Sequence, residues 1–124
     1  MRKVGDYYIL VSLLWLVLGM VFGIWMGIAG KLGFANSHAH LNLVGFATSA
    51  VFGLICRQYP AIGRSALAVA QFWIFEIGAV LLVLGKISVD AEAGDTMVKI
   101  GSLVVLVGAL LFLWLFATGR DDRN

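Results

Sequence analysis

A chain of 124 residues has the length of one domain. Hydrophobic residues make up 61% of it and charged residues 13%, about half the charged share of a water-soluble domain. The net charge of +2, with cations scattered along the chain, excludes a nucleic-acid-binding surface, and a single cysteine, Cys56, excludes an intrachain disulfide or a CxxC metal site. Stretches near residues 7–30, 38–58, 66–87 and 97–118 each exceed the ~18 apolar residues that carry a helix across a bilayer. Residues 1–124 therefore read as one all-α domain, a polytopic membrane protein built as a four-helix up-and-down transmembrane bundle, with the lipid bilayer as its main partner.

Arg2 and Lys3 precede the first stretch as they would a signal peptide, but its apolar run is far longer than an h-region of ~7–15 residues, so it is kept as a span. It carries Gly19, Gly23 and Gly27, a doubled GxxxG that serves either as a packing seam or as room for a flat ligand against the helix. The first loop, from Lys31 to Ser37, places Asn36 or Ser37 to cap the second helix. The second loop holds the only proline, Pro60, which ends that helix. Gly78 and Gly85 in the third span, and Gly101 and Gly108 in the fourth, mark one face of each helix as a seam. Asp90, Glu92 and Asp95 in the third loop, Ile87 to Thr96, read as a solvated acidic cap.

Orientation follows from the basic residues near the helix ends. Arg2, Lys3, Arg57, Arg64, Arg120 and Arg123 fall on one side, six in all, against Lys31, Lys86 and Lys99 on the other. The positive-inside rule then puts both termini in the cytoplasm of an inner-membrane protein. Tyr7, Tyr8 and Tyr59 become a cytoplasmic aromatic belt, the four tryptophans become packing or interface anchors, and the outer lysines snorkel.

The only two histidines, His38 and His40, stand at the outer mouth of the second span. At ~100° per residue they point ~200° apart on a regular helix, so they do not approach one metal from the same face. His38 shares its face with Asn42, Gly45, Ser49 and Phe52, the smaller and more polar side. His40 lies with Leu43, Val44, Ala47 and Val51 and looks toward lipid or a neighbouring subunit. Ionisable groups in membrane spans are costly and usually functional, which favours a ligand site over a structural polar pair. A transition-metal site for copper, zinc or nickel remains open, although two imidazoles alone are an incomplete shell.

The run His40-Leu41-Asn42-Leu43, continuing through Phe52-Gly53-Leu54 to Tyr59-Pro60, resembles helix II of the catalytic subunit of the haem-copper oxidase superfamily, closest to its nitric oxide reductase branch. Ala39-His40 is similar to the Ala-His pair at the same place in the oxidases. The resemblance covers 21 of the 124 residues, His40 to Pro60. It implies that His40 is an axial ligand of a low-spin, non-covalent haem b on the outer side of the membrane, in a protein serving electron transfer or gas binding. The family's subunit takes its copper ligands and its high-spin haem ligand from helices absent here, and this chain has no third histidine, so it is not a complete oxidase or reductase on its own.

The iron's remaining position has three candidate occupants: a histidine of a second copy in a homo-oligomer, dimer or trimer; the thioether of Met26 or Met97; or a gas at an open site. Gly23, Gly27 and Asn42 line the expected cofactor surface, and a respiratory redox partner or quinol is the expected electron source. Glu76 near the middle of the third span is the other unusual residue. A charge at that depth is expensive, so it is expected protonated or paired, as a proton site or in polar contact with Thr48 or Ser49 at similar depth. Gln71 adds a polar group nearer the cytoplasmic end. A small four-helix transporter using Glu76 is the alternative from a different class.

Overall fold

A computed structural model of the chain describes residues 3–119. Arg2, Arg120 and Arg123, three of the six basic residues expected on the cytoplasmic side, lie outside the described residues, as do Asp121 and Asp122. The fold is an all-α four-helix bundle. Its helices, Val4–Ala29, Leu32–Gln58, Ala66–Asp90 and Thr96–Gly119, are each long and apolar enough to cross a membrane. With no water in the hydrocarbon to satisfy peptide groups, a helix is the form that bonds every backbone donor within its own segment.

Short connections make sequential helices antiparallel neighbours. The first ends at Gly30, whose φ of 67° is left-handed and free of Cβ strain, and whose N–H bonds Met26 O. The third begins at Ser65, whose Oγ accepts from the Ala68 N–H at 3.1 Å. The third helix is the central one: 50% of its most apolar window is buried, against 22% in the first and fourth. Large side chains such as Leu14, Ile28, Leu43, Leu54, Leu103 and Trp114 are exposed on the outside, where lipid replaces water.

The second helix departs from the regular helix expected of it. A 3-10 turn, Leu32–Phe34, leads into α-helix over Ala35–His40, then π-helix over Leu41–Thr48, then α-helix again over Ser49–Gln58. Thr48 Oγ1 donates to Leu43 O five residues back, at 2.8 Å, a bond that suits the wider π turn. The helix also starts earlier than expected, so Asn36 and Ser37 lie inside it rather than in a loop.

Between lipid-embedded helices there is little hydrophobic drive, so close backbone approach and buried polar bonds hold the bundle together. Helices three and four meet along the glycine seam. A Cβ on Gly78 would stand 2.8 Å from Val105 N, and one on Gly108 would stand 2.9 Å from Phe75 Cα; Gly85 and Gly101 face the Val98 and Leu82 backbones more closely still. Helices one and two cross at Gly5 against Gly53, at the Trp15 ring over Gly45, and at Gly19 against Asn42. An aromatic cluster fills the centre of the lower half: Tyr8 meets Phe72 edge-on at 4.8 Å, and Phe52 stacks on Phe112 at 4.0 Å. Tyr8 is therefore fully buried, not part of an interfacial belt.

Candidate functional sites at the histidine turn and at mid-bundle

Near the N-terminal end of the second helix the two histidines turn to different neighbours. His38 reaches the first helix: its Nε2 lies 3.0 Å from Gly19 O, and a carbonyl can only accept, so Nε2 carries the proton. A Cβ on Gly23 would lie 2.9 Å from the same nitrogen, and Phe22 meets the ring edge-on at 6.0 Å. The space that Gly23 opens is thus filled by His38 itself, and at Gly23 the packing reading of the GxxxG displaces the flat-ligand reading. Gly27 has nothing within 4 Å and packs against no helix. Asn42 Nδ2 donates back to His38 O at 3.0 Å, tying the start of the π segment to the histidine turn.

His40 is half-buried and makes its contact within its own helix. Its Nδ1 lies 2.8 Å from Asn36 O, one turn earlier in its own helix, so Nδ1 donates and Nε2 keeps its lone pair. That nitrogen makes no hydrogen bond among the described residues. Further along the same side stand Leu43, Val51 and Leu54, each more than half exposed. Met26 is buried near the C-terminal end of the first helix, while Met97 is 41% exposed at the start of the fourth. Among the described residues no group of three His, Cys, Asp or Glu side chains could hold a metal ion.

Beside the histidines, Asp90 corrects two expectations. Neither Asn36 nor Ser37 caps the second helix; instead Ser37, fully buried, donates its backbone N–H and its hydroxyl to Asp90 Oδ2 at 3.0 and 2.6 Å. Nor is Asp90 part of a solvated acidic cap. The third helix runs on to include it, and its side chain is 10% exposed, with Lys86 Nζ 3.8 Å from Oδ1. A carboxylate from another helix does the capping because orphan N–H groups at a helix N-terminus attract negative charge. Lys86 is accordingly an ion-pair partner, not a free snorkelling lysine, and Lys99 pairs with Asp95 at 3.1 Å.

Glu76 lies at mid-depth and is 7% exposed. Ser49 Oγ donates to its Oε2 at 2.6 Å, and Trp15 Nε1 donates to its Oε1 at 3.0 Å, so one carboxyl ties three helices together. Ser49 is where depth counting puts it, whereas Thr48 bonds Leu43 O instead. Trp15 was expected as a plain anchor. Its depth alone was a signal, since it stands 11 residues into the first helix, as Glu76 stands 10 into the third and Ser49 stands 9 from the end of the second, but which neighbour the indole meets was not. One layer below, Tyr8 Oη donates to Gln71 Oε1 at 2.6 Å and Gln71 Nε2 donates to Gly108 O at 2.9 Å, joining the first, third and fourth helices. Comparison with protein-family models, curated proteins and solved structures finds no match to this chain.

Proposed function

We propose that this chain is an inner-membrane protein with cytoplasmic termini that binds haem b non-covalently through His40 and serves electron transfer or gas binding. The resemblance of His40–Pro60 to helix II of the haem-copper oxidases motivates the reading. The observation that carries it is the state of the His40 ring. Metal-ligating imidazoles commonly donate their second N–H to a carbonyl or carboxylate, which fixes the tautomer and raises the basicity of the ligating nitrogen. His40 has that arrangement, with Nδ1–H on Asn36 O and Nε2 directed away from it.

His38 does not fit the same role, because its Nε2 proton is used on Gly19 O and the adjacent helix stands against the ring. It serves to position the second helix on the first. One chain supplies one imidazole, so a homo-oligomer in which a second copy offers its own His40 is the preferred source of the other ligand. Leu43, 64% exposed and three residues past His40, would stand on the apolar wall beside the ring, whereas Val44 packs against the bundle core. When bound, haem supplies one-electron or gas-coordination chemistry that its ligand and the surrounding dielectric tune.

Protein purified after expression with ample haem is expected to show a Soret band. His40→Ala should remove that band, and His38→Ala should keep it while weakening the fold. A colourless wild-type protein overturns the reading.

A second reading, a proton-linked small transporter, draws on Glu76 and its partners on three helices. Under it, Glu76→Gln abolishes substrate efflux from cells while helix content by circular dichroism stays unchanged; efflux that survives Glu76→Gln removes it.

A further inference from the structure

The amide that joins Asn36 to Ser37 is bonded at both ends. Its carbonyl oxygen accepts from His40 Nδ1 at 2.8 Å. Its N–H, on Ser37, donates to Asp90 Oδ2 at 3.0 Å. A carboxylate 53 positions along the chain from Ser37 is thus linked to the imidazole through one conjugated peptide group. Ser37 is fully buried and the Asp90 side chain is 10% exposed, so water competes little for that link. Ser37 Oγ donates to the same Oδ2 at 2.6 Å, inside the ~2.5–2.7 Å range of hydroxyl bonds to an ionised acceptor. Lys86 Nζ stands 3.8 Å from the other oxygen, Oδ1, near enough to offset part of the charge but too far for a hydrogen bond.

The order of these groups sets the direction of the effect. Negative charge at the N–H end of an amide raises the electron density on its carbonyl oxygen, through the same resonance that keeps the peptide planar. Hydrogen bonds joined in a chain strengthen one another, by roughly 10–30% each in condensed phase. Asn36 O is therefore a stronger acceptor than a helix carbonyl whose amide meets no charge. The bond from His40 Nδ1–H is strengthened in turn, which holds the proton on Nδ1 and enriches Nε2 in electron density. Lys86 acts in the opposite sense, because it draws the charge of Asp90 toward Oδ1. Capping alone would need only the Ser37 donors, whereas here the acceptor end of the same amide holds an imidazole ring.

We propose that Asp90 is a positioning residue for His40, acting through the Asn36–Ser37 amide to make Nε2 a stronger metal-ligating nitrogen, with Lys86 moderating it. The hold on the ring proton belongs to the metal-free chain, and only its consequence for iron rests on the haem reading. The test is NMR of the full-length protein with isotope-labelled histidine, in nanodiscs without haem, at about pH 8.5, above the ordinary imidazole range. The chain has two histidines, so His40→Gln assigns the signals. The separation between the Nδ1 and Nε2 shifts of His40 measures how firmly the proton stays on Nδ1. Asp90→Asn keeps an acceptor for Ser37 but loses the charge, and should narrow that separation. Lys86→Met should widen it, and the His38 shifts should stay in place in both variants. A wild-type His40 protonated on Nε2, a separation unchanged in either variant, or changes of the same sign in both would overturn the proposal. If Asp90→Asn does not fold, Lys86→Met decides alone. In haem-loaded protein, Asp90→Asn should raise the midpoint potential, since a weaker donor favours reduced iron, and Lys86→Met should lower it. The expected shifts in a protein that takes up no haem would keep the proposal and remove the haem reading.

Discussion

Glu76 shows how a buried polar side chain is made tolerable in a bilayer. Both of its oxygens accept a bond, from Trp15 and from Ser49, and it is nearly sealed from its surroundings. Removing a donor leaves part of the carboxyl unsatisfied, so Ser49→Ala is expected to lower stability by about 1–3 kcal/mol. Glu76→Gln can keep both contacts, its amide oxygen accepting from Trp15 and its NH₂ donating to the Ser49 hydroxyl oxygen. That variant should stay within about 1 kcal/mol of wild type, near the scale of single interhelical bonds in membranes. Denaturant titration in micelles, followed by circular dichroism, compares the two. A larger loss for Glu76→Gln than for Ser49→Ala would mean that charge, not hydrogen bonding, holds the site.

At the scale of the helix, glycines of similar appearance have different duties. Gly101 and Gly85 let the third and fourth helices touch backbone to backbone, whereas Gly27, in an equally suggestive GxxxG, faces nothing within 4 Å. Gly101→Leu is expected to separate those two helices and prevent folding. Gly27→Leu should change stability by less than about 0.5 kcal/mol, as for other substitutions away from packed features. Yield of monodisperse protein on size exclusion and the thermal midpoint read both outcomes. The π segment over Leu41–Thr48 belongs to the same scale. It sets the register between the histidine turn, which packs at Gly19 and Gly23, and Ser49, which has to meet Glu76.

For the whole molecule, the bundle is two antiparallel pairs joined by polar bonds and aromatic packing, with Leu43 on the second helix left exposed. If copies associate there, Leu43→Cys should form an intermolecular disulfide in membranes under mild oxidation. Leu103→Cys, similarly exposed but on the fourth helix, should not. The native Cys56 is 5% exposed and does not compete. Non-reducing electrophoresis reads the result, and cross-linking at Leu103→Cys alone would place the interface elsewhere.

The four spans, their antiparallel order and the glycine seam of the last two were legible in the amino-acid sequence. A bilayer admits one backbone solution for an apolar segment, and small residues at seven-residue spacing mark a face wherever the helix is placed. That His38 and His40 would take different partners followed from helical geometry, and the Ser49–Glu76 contact followed from equal depth. What tertiary structure alone decided was partnership: Ser37 with Asp90, Trp15 with Glu76, His38 with the Gly19 carbonyl, and the π turn between them. Periodicity reports which face of a helix a residue occupies, but which neighbour meets that face depends on how the helices rotate and slide against one another. That is settled by packing across the bundle, between residues as much as 61 positions apart in the chain.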